Sequence, residues 1–226
     1  MTHTQKRNLY PAGERYFSTN ADTTQAKTRR LYLSNEELEI VLDGCRKNIR
    51  NAQKVLYYSY YGYAMSIALR YASTDENAVE MINDAFMKIY KDLKNFVTNN
   101  GESVVMFNGW LKRLTVNACI DHIRKYNKKE MVGKVEAELI NLSDKSETAE
   151  QKLYYNEILA CLQQLSPAYR AVFNLYVLEG FSHAEIAGKL HISENTSKSN
   201  LHKARHNLQQ LVKKSSRVTG EKQMIA

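Results

Sequence analysis

Residues Phe181–Arg205 read FSHAEIAGKLHISENTSKSNLHKAR, and their spacing organises the rest of the chain. Ser182 is followed three residues later by Glu185, so a hydroxyl can cap a helix N-terminus while a carboxylate reaches back to the capping residue. Ile186, Ala187 and Leu190 then put apolar side chains on one face of a short helix that should end near His191. Ile192 suits the buried point of a tight turn, and Ser193 caps a second time. A second helix follows through Leu201, Ala204, Leu208 and Leu211. Two capped helices, a short turn and a small residue at the crossing make a helix-turn-helix. The outward face of the second helix carries Lys198, Ser199, Asn200, His202, Lys203 and Arg205. These groups can neutralise phosphates and hydrogen-bond to base edges in a major groove. On its own the segment fits an αα-hairpin with a solvated basic face as well, because patterns this short recur by chance.

Upstream, LSPAYRAVFNLYVLEG (165–180) opens a helix with Ser166 as cap and Pro167 at the first helical position, and Gly180 closes it. Ile158, Leu162 and Leu165 line the helix before that. Residues 131–150 carry Glu136, Glu138, Asp144, Glu147 and Glu150 among few bases, and read as an acidic linker between two domains. Before the linker lies FNGWLKRLTVNACIDHIRKYNKK, in which Trp110, Leu111, Leu114, Ala118 and Ile123 alternate with basic and amide side chains at helical spacing. Residues 109–129 hold six Lys/Arg against one acid, giving a second basic helix. Aromatic, amide and guanidinium groups beside a polar Gly-containing loop (97–106) suit single-stranded nucleic acid, although Trp110 also suits a core anchor.

Farther back, Asp75–Phe96 reads as a helix started by Thr74 or Asp75, with Ala78, Met81, Ile82, Ala85, Phe86, Ile89 and Leu93 as its inner stripe. Its outer face is acidic first and basic last, an order that the helix dipole accounts for and that a protein-docking surface would also use. Val55, Leu56, Tyr60, Tyr63, Ala64, Ile67, Ala68 and Tyr71 mark an earlier helix. Ser34 and Glu37 form a capping box for one buried through Leu38, Val41 and Leu42. Residues 1–30 hold six Lys/Arg, two Asp/Glu and no sustained period, and read as a basic flexible extension.

Composition agrees with an all-α protein: 226 residues, 43% hydrophobic, only 2 Pro and 9 Gly. The net charge of +8 favours a polyanionic partner. Cys45, Cys119 and Cys161 are too scattered for a disulfide framework or a zinc motif and read as buried thiols. No apolar run is long enough for a membrane span, and residues 1–17 lack the apolar core of a signal peptide, so the expected location is cytoplasmic. His202 and His206 share a helix face but have no third ligand in sight, so no metal and no cofactor is expected. Asp75, Glu76 and Glu80 sit on an outer face rather than around a pocket, which argues against an enzyme.

Three tracts in order resemble bacterial sigma factors of the extracytoplasmic-function type, over roughly residues 31–211. RYASTDENAVEMINDAFMKIYKDLKNF resembles sigma region 2, with Glu80, Asn83 and Phe86 at the acidic, amide and Phe positions of its pattern. FNGWLKRLTVNACIDHIRK resembles the part that melts and reads the minus-ten element, with Trp110, Arg113, Asn117, Asp121 and Arg124 at matching positions. The segment from LSPAYRAV to LHKAR resembles region 4.

The resemblance implies two helical domains joined by an extended acidic linker: region 2 over 31–129, linker 130–150, region 4 over 151–214 and a flexible tail 215–226. It implies a transcription initiation factor that binds core RNA polymerase and directs it to promoters. Asp75, Glu80, Met81, Asn83, Asp84, Met87 and Lys88 would meet the β′ clamp helices, and the segment 165–178 the β flap. Phe107, Asn108, Trp110, Arg113, Leu114, Asn117, Asp121, Arg124 and Lys125 would bind minus-ten DNA. Trp110, Leu114 and Asn117 would form a pocket for a flipped base, whose unstacking such a pocket offsets. Ser182, Thr196, Lys198, Ser199, Asn200, His202, Lys203 and Arg205 would read the minus-thirty-five element as duplex. An anti-sigma factor, or another protein acting through residues 1–30, is a further candidate partner. An autonomous helix-turn-helix regulator is the alternative reading, and it leaves the Trp110 helix and the Asp75 helix face without a task.

The chain departs from the family pattern at Val79 (usually acidic), Asn83 (usually Gln), His191 (commonly Gly), Ser197 (often apolar) and Asn200 (often Arg).

Overall fold

The computed structural model describes residues 33–98, 102–126 and 149–223. The basic extension at 1–30 and nearly all of the acidic linker lie outside the described residues. Every regular element among the described residues is helical: α1 (Asn35–Arg46), α2 (Arg50–Ala68), α3 (Asp75–Asp92), α4 (Ser103–Tyr126), α5 (Ala149–Gln163), α6 (Pro167–Phe173), α7 (His183–Leu190) and α8 (Glu194–Gln223). A 3₁₀ turn at Leu93–Asn95 follows α3, and a π turn at Asn174–Leu178 follows α6. Contacts group the described residues into two compact units, those up to Tyr61 with those of Lys88–Trp110, and those of Gly62–Met87 with those from Leu111 onward.

The helix starts follow local chemistry. The Ser34 hydroxyl accepts from the Glu37 N–H at 3.2 Å, and the Glu37 carboxylate accepts from the Ser34 N–H at 2.9 Å, completing the expected capping box. Thr74 Oγ1 accepts from Asn77 N–H at 3.2 Å at the start of α3, and Ser166 caps α6 ahead of Pro167. All seven residues of the α3 inner stripe are buried, as their spacing predicts.

In the first unit an aromatic cluster dominates. Phe107 is fully buried, with ring centroids 4.8 Å from Tyr60, 5.7 Å from Phe96 and 5.8 Å from Trp110. Phe96 and Trp110 stack at 4.6 Å with planes 25° apart. Helix α1 is tied to this cluster by Arg46, which donates to the Phe96 carbonyl at 2.9 Å. The Glu39 carboxylate accepts from the hydroxyls of Thr98 and Ser103, and Asn35 accepts from the Val104 N–H. Those bonds set the start of α4 at Ser103, so the expected loop at 97–106 gives way to helix over its last four residues.

In the second unit, Leu162 of α5, Leu165 and Ala204 of α8 form a core joined by Tyr169, Phe173, Leu208 and Leu211. Among the α5 side chains described, Leu159, Cys161 and Leu162 are buried, whereas Ile158 is 57% exposed. This corrects the expected stripe through Ile158. Positions 158 and 159 are both within helical reach of 162, and spacing alone does not choose between them. Helix α8 runs on through Gln223, into the stretch read as a tail, because no Pro interrupts it.

The α6 end is set by a π turn that brings Asn174 and Leu175 fully inside. Gly180, at φ +76°, turns the chain out of it in a backbone region that glycine enters without steric cost. Arg170 is 1% exposed and gives hydrogen bonds to the Gln163 carbonyl at 3.1 Å and to Ser73 Oγ at 2.7 Å. Burial pushes its guanidinium down to about 10, still protonated at neutral pH.

Because Phe107 is the fully buried centre of the first unit's cluster, Phe107→Ala should lower unfolding free energy in urea by about 3–5 kcal/mol. Val105→Ala, two residues away on the exposed side, should change it by under about 0.5 kcal/mol.

Candidate nucleic-acid interface

The helix-turn-helix forms as its caps dictate. Ser182 Oγ accepts from Glu185 N–H at 3.3 Å, while the Glu185 carboxylate accepts from Ser182 N–H at 2.8 Å. Those bonds, the backbone one first, hold the Glu185 carboxyl below the usual carboxylate range. Helix α7 ends at His191 in the left-handed conformation, φ 55° and ψ 47°, so the position where Gly is common does require that geometry. The Ile192 N–H then donates to the Ala187 carbonyl at 3.1 Å, and Ser193 Oγ accepts from Thr196 N–H at 3.0 Å to start α8.

Ser197, standing where an apolar residue often packs, is fully buried. Its hydroxyl lies 2.9 Å from His183 Nδ1, and the His183 ring stacks on Tyr176 at 4.6 Å. A hydroxyl inside the crossing is thus satisfied by a neighbouring ring nitrogen, which removes the desolvation cost of burying it.

Thr196, Lys198, Ser199, His202, Lys203 and Arg205 are all exposed on α8, and Asn200 is half-buried. Lys203 Nζ lies 5.9 Å from the Tyr169 ring centroid and the Arg205 guanidinium 5.7 Å from that of Tyr176, aligning both cations beside aromatic faces. The Lys198–Glu194 pair at 4.0 Å is exposed on both sides and contributes little. Ser182 is exposed, but its hydroxyl is committed to the cap.

On α4, Arg113, Asp121 and Lys125 are exposed, and Asn108, Trp110, Asn117 and Arg124 are half-buried. Phe107 is fully buried and Leu114 keeps 9% of its surface, so these two expected DNA contacts belong to the packed side of the helix. Arg124 pairs with Asp121 at 3.2 Å and donates from Nε to the Lys189 carbonyl in the last turn of α7. On α3, Asn83, Asp84 and Met87 are exposed, the last at 70%, and Asp75, Glu80 and Lys88 are half-buried. Met81, expected at the polymerase surface, is buried and cannot reach a partner. Glu80 lies 3.7 Å from Lys125 Nζ and 3.9 Å from His122 Nδ1.

Sequence reasoning assigned no role to Arg70, Arg170, Asn174 or Glu179, and took Lys112 only as one of the basic side chains of its helix. The one available signal was a charge at Arg170 inside the apolar run AYRAVF. No group of three or more metal-ligating side chains occurs among the described residues.

With this geometry in place, comparison with known proteins is decisive for the family. Residues 56–129 match Sigma-70 region 2, and residues 155–208 match Sigma-70, region 4. The chain belongs to the sigma-70 family. Among curated relatives, the ECF RNA polymerase sigma factor SigE of Mycolicibacterium smegmatis is 25% identical over 164 residues, 69% of this chain and 59% of that protein. The chain thus spans less than two thirds of SigE. The RNA polymerase sigma-H factor of Pseudomonas aeruginosa is 24% identical over 183 residues, 76% of this chain and 92% of that protein. A similar solved structure is the sigma factor RpoE in complex with the anti-sigma factor NepR from Bartonella quintana, at TM-score 0.41 and 21% identity. It covers 79% of this chain and 95% of that one. Sigma factors are transcription initiation factors that direct RNA polymerase to promoters, and are not enzymes. Among the described residues of this sigma factor, no helix is long and apolar enough to cross a membrane.

The left-handed His191 carries a steric cost that glycine does not, so His191→Gly should raise unfolding free energy by up to about 1 kcal/mol. Calorimetry checks this. Glu185 has a lowered folded-state pKa, so its contribution is present above the ordinary carboxylate pKa and lost as pH falls through the lowered value. The stability gap between the wild type and Glu185→Ala should therefore close on acidification through that window.

Proposed function

We propose that this sigma factor binds core RNA polymerase and carries it to specific promoters, with α8 reading the minus-thirty-five element as duplex and α4 opening the minus-ten element. The observation that carries the reading is the α8 face. Lys198, Ser199, His202, Lys203 and Arg205 stand exposed on a helix whose other side is fixed by Leu201 and Ala204. A rigid helix with one packed stripe and one basic, hydrogen-bonding stripe fits a major groove.

On α4, Arg113 and Lys125 are placed to hold the DNA backbone, with Arg124 available once its contact to α7 is released. Trp110 and Asn117 remain half-accessible for a flipped base, without Phe107 as a contact. On α3, Asn83, Asp84 and Met87 would meet the β′ clamp, supported by Glu80, and the segment at 165–178 the β flap. The proposed domain limits stay at 31–129 for region 2 and 151–214 for region 4, with the acidic segment between them as linker. An anti-sigma partner, and a role for residues 1–30 in recruiting one, belong to the same proposal.

The test is co-purification with bacterial core polymerase followed by run-off transcription on a pool of promoter fragments. A stable complex that starts RNA at a defined site is expected. Duplex DNA binding without polymerase association would replace this reading with the autonomous regulator. In the holoenzyme, Lys198→Ala with Lys203→Ala should weaken promoter binding and flatten the dependence of log K on log salt by about two units, one per lost phosphate contact. An unchanged salt slope would remove α8 from the duplex contact.

A further inference from the structure

We propose that α1 positions the Trp110 ring for base capture, with Glu39, Arg46 and Asn35 as the positioning residues. The use made of the ring rests on the minus-ten reading above. The positioning rests on side-chain geometry inside the first unit.

Asn35, Glu39, Leu42 and Arg46 follow one another at intervals of four, three and four, so they share one face of α1. Leu42 on this face is fully buried. The three polar side chains around it all reach residues 96–104, where α3 has ended and α4 begins. Arg46 donates to the Phe96 carbonyl at 2.9 Å, and Asn35 Oδ1 accepts from the Val104 N–H at 2.9 Å. Glu39 Oε1 accepts from the hydroxyls of both Thr98 and Ser103. One carboxylate oxygen thus ties the chain leaving α3 to the chain entering α4. Those bonds, Ser103 first and Thr98 second, hold the Glu39 carboxyl below the usual carboxylate range, so the accepting form is present at neutral pH.

The ties converge on Trp110. Phe96, whose carbonyl Arg46 holds, stacks on the Trp110 ring at 4.6 Å with planes 25° apart. Phe107 lies against the same ring at 5.8 Å, and Trp110 keeps part of its surface open. Phe96 therefore sets the plane in which an unstacked base can lie against Trp110, and α1 sets Phe96.

Packing alone does not explain this face of α1. Apolar contact has no direction, so Leu42 by itself would hold the helix without fixing where its neighbours stand. Hydrogen bonds do have direction, and these reach both sides of one connection. Ser103 is 2% exposed, so its hydroxyl loses its acceptor and gains no water if Glu39 is removed. Base capture exchanges stacking in the duplex for stacking on the protein. The two are similar in size, so a small displacement of the receiving ring shifts the balance.

The experiment uses the full chain and its holoenzyme. Trp110 is the single Trp of the chain, so fluorescence reports this ring alone. Glu39→Ala should raise acrylamide quenching about twofold as the ring gains local freedom. Glu39→Gln keeps the side-chain length and an accepting oxygen, and should stay close to the wild type. In run-off transcription, a preferred promoter then competes with versions changed at single minus-ten positions. Glu39→Ala should reduce discrimination at one position about fivefold, with core polymerase affinity unchanged. A merely structural role would lower transcription from every version alike and leave the ratio as it was.

Circular dichroism checks helix content. If Glu39→Ala loses it, Thr98→Val, which removes one tied hydroxyl from outside α1, takes its place with the same expected direction. Unchanged quenching in the folded variant overturns the positioning, as does a Glu39→Gln effect equal to that of Glu39→Ala. Raised quenching with an unchanged ratio, or an equal loss from every promoter, overturns the link between α1 and base choice. If the wild-type holoenzyme shows no preference at any minus-ten position, the minus-ten reading fails, while quenching still decides whether α1 positions Trp110.

Discussion

A guanidinium taken out of water keeps its charge only where acceptors replace the solvent, and Arg170 imposes that constraint on the second unit. It is buried inside an otherwise apolar helix turn, and its two terminal nitrogens reach the end of α5 at Gln163 and the hydroxyl of Ser73. The α5–α6 junction and a segment 97 residues before Arg170 are thereby held by one side chain. The π turn that follows is part of the same solution. It admits one extra residue to the helix end and brings Asn174 inside, one turn from Arg170, where its amide finds the Arg70 carbonyl. Apolar packing of Leu162, Leu165 and Ala204 supplies cohesion, but the polar groups decide which surfaces meet.

The two candidate DNA-facing helices work under different physics. Helix α8 has a fixed packed side and a continuous exposed basic side, so its charges are solvated, screened by salt and ready for phosphates. Helix α4 is buried over much of its circumference, and its accessible groups are interleaved with core residues such as Phe107, Leu111 and Leu114. The first arrangement suits docking on an intact duplex. The second suits a task in which a few bases are held one at a time beside the protein core, with Trp110 already stacked on Phe96.

Departures from the family pattern are absorbed locally. His191 takes the left-handed turn that glycine would take, and Ser197 enters the crossing with its hydroxyl beside His183. Both changes alter the chemistry inside the turn.

Much of this molecule was legible along the chain. Capping boxes at Ser34 and Ser182, the Ser166–Pro167 start and the Gly180 stop involve residues three or four apart, so sequence specifies them directly. The α3 stripe was equally legible, because seven apolar residues at one spacing leave a single face to bury. Other outcomes belonged to tertiary structure. Ile158 and Leu159 offer the same period, and only the neighbouring helices decide that Leu159 goes inside. Met81 and Phe107 lie within matched motifs, yet burial removes them from any contact surface. The α4 start depends on Glu39 and Asn35, more than sixty residues earlier, and Arg170 and Glu179 find their partners about seventy to one hundred residues away. Local spacing fixes which residues share a helix face. Which face is covered, and which charges are paired once it is, depends on segments that meet only when the chain has folded.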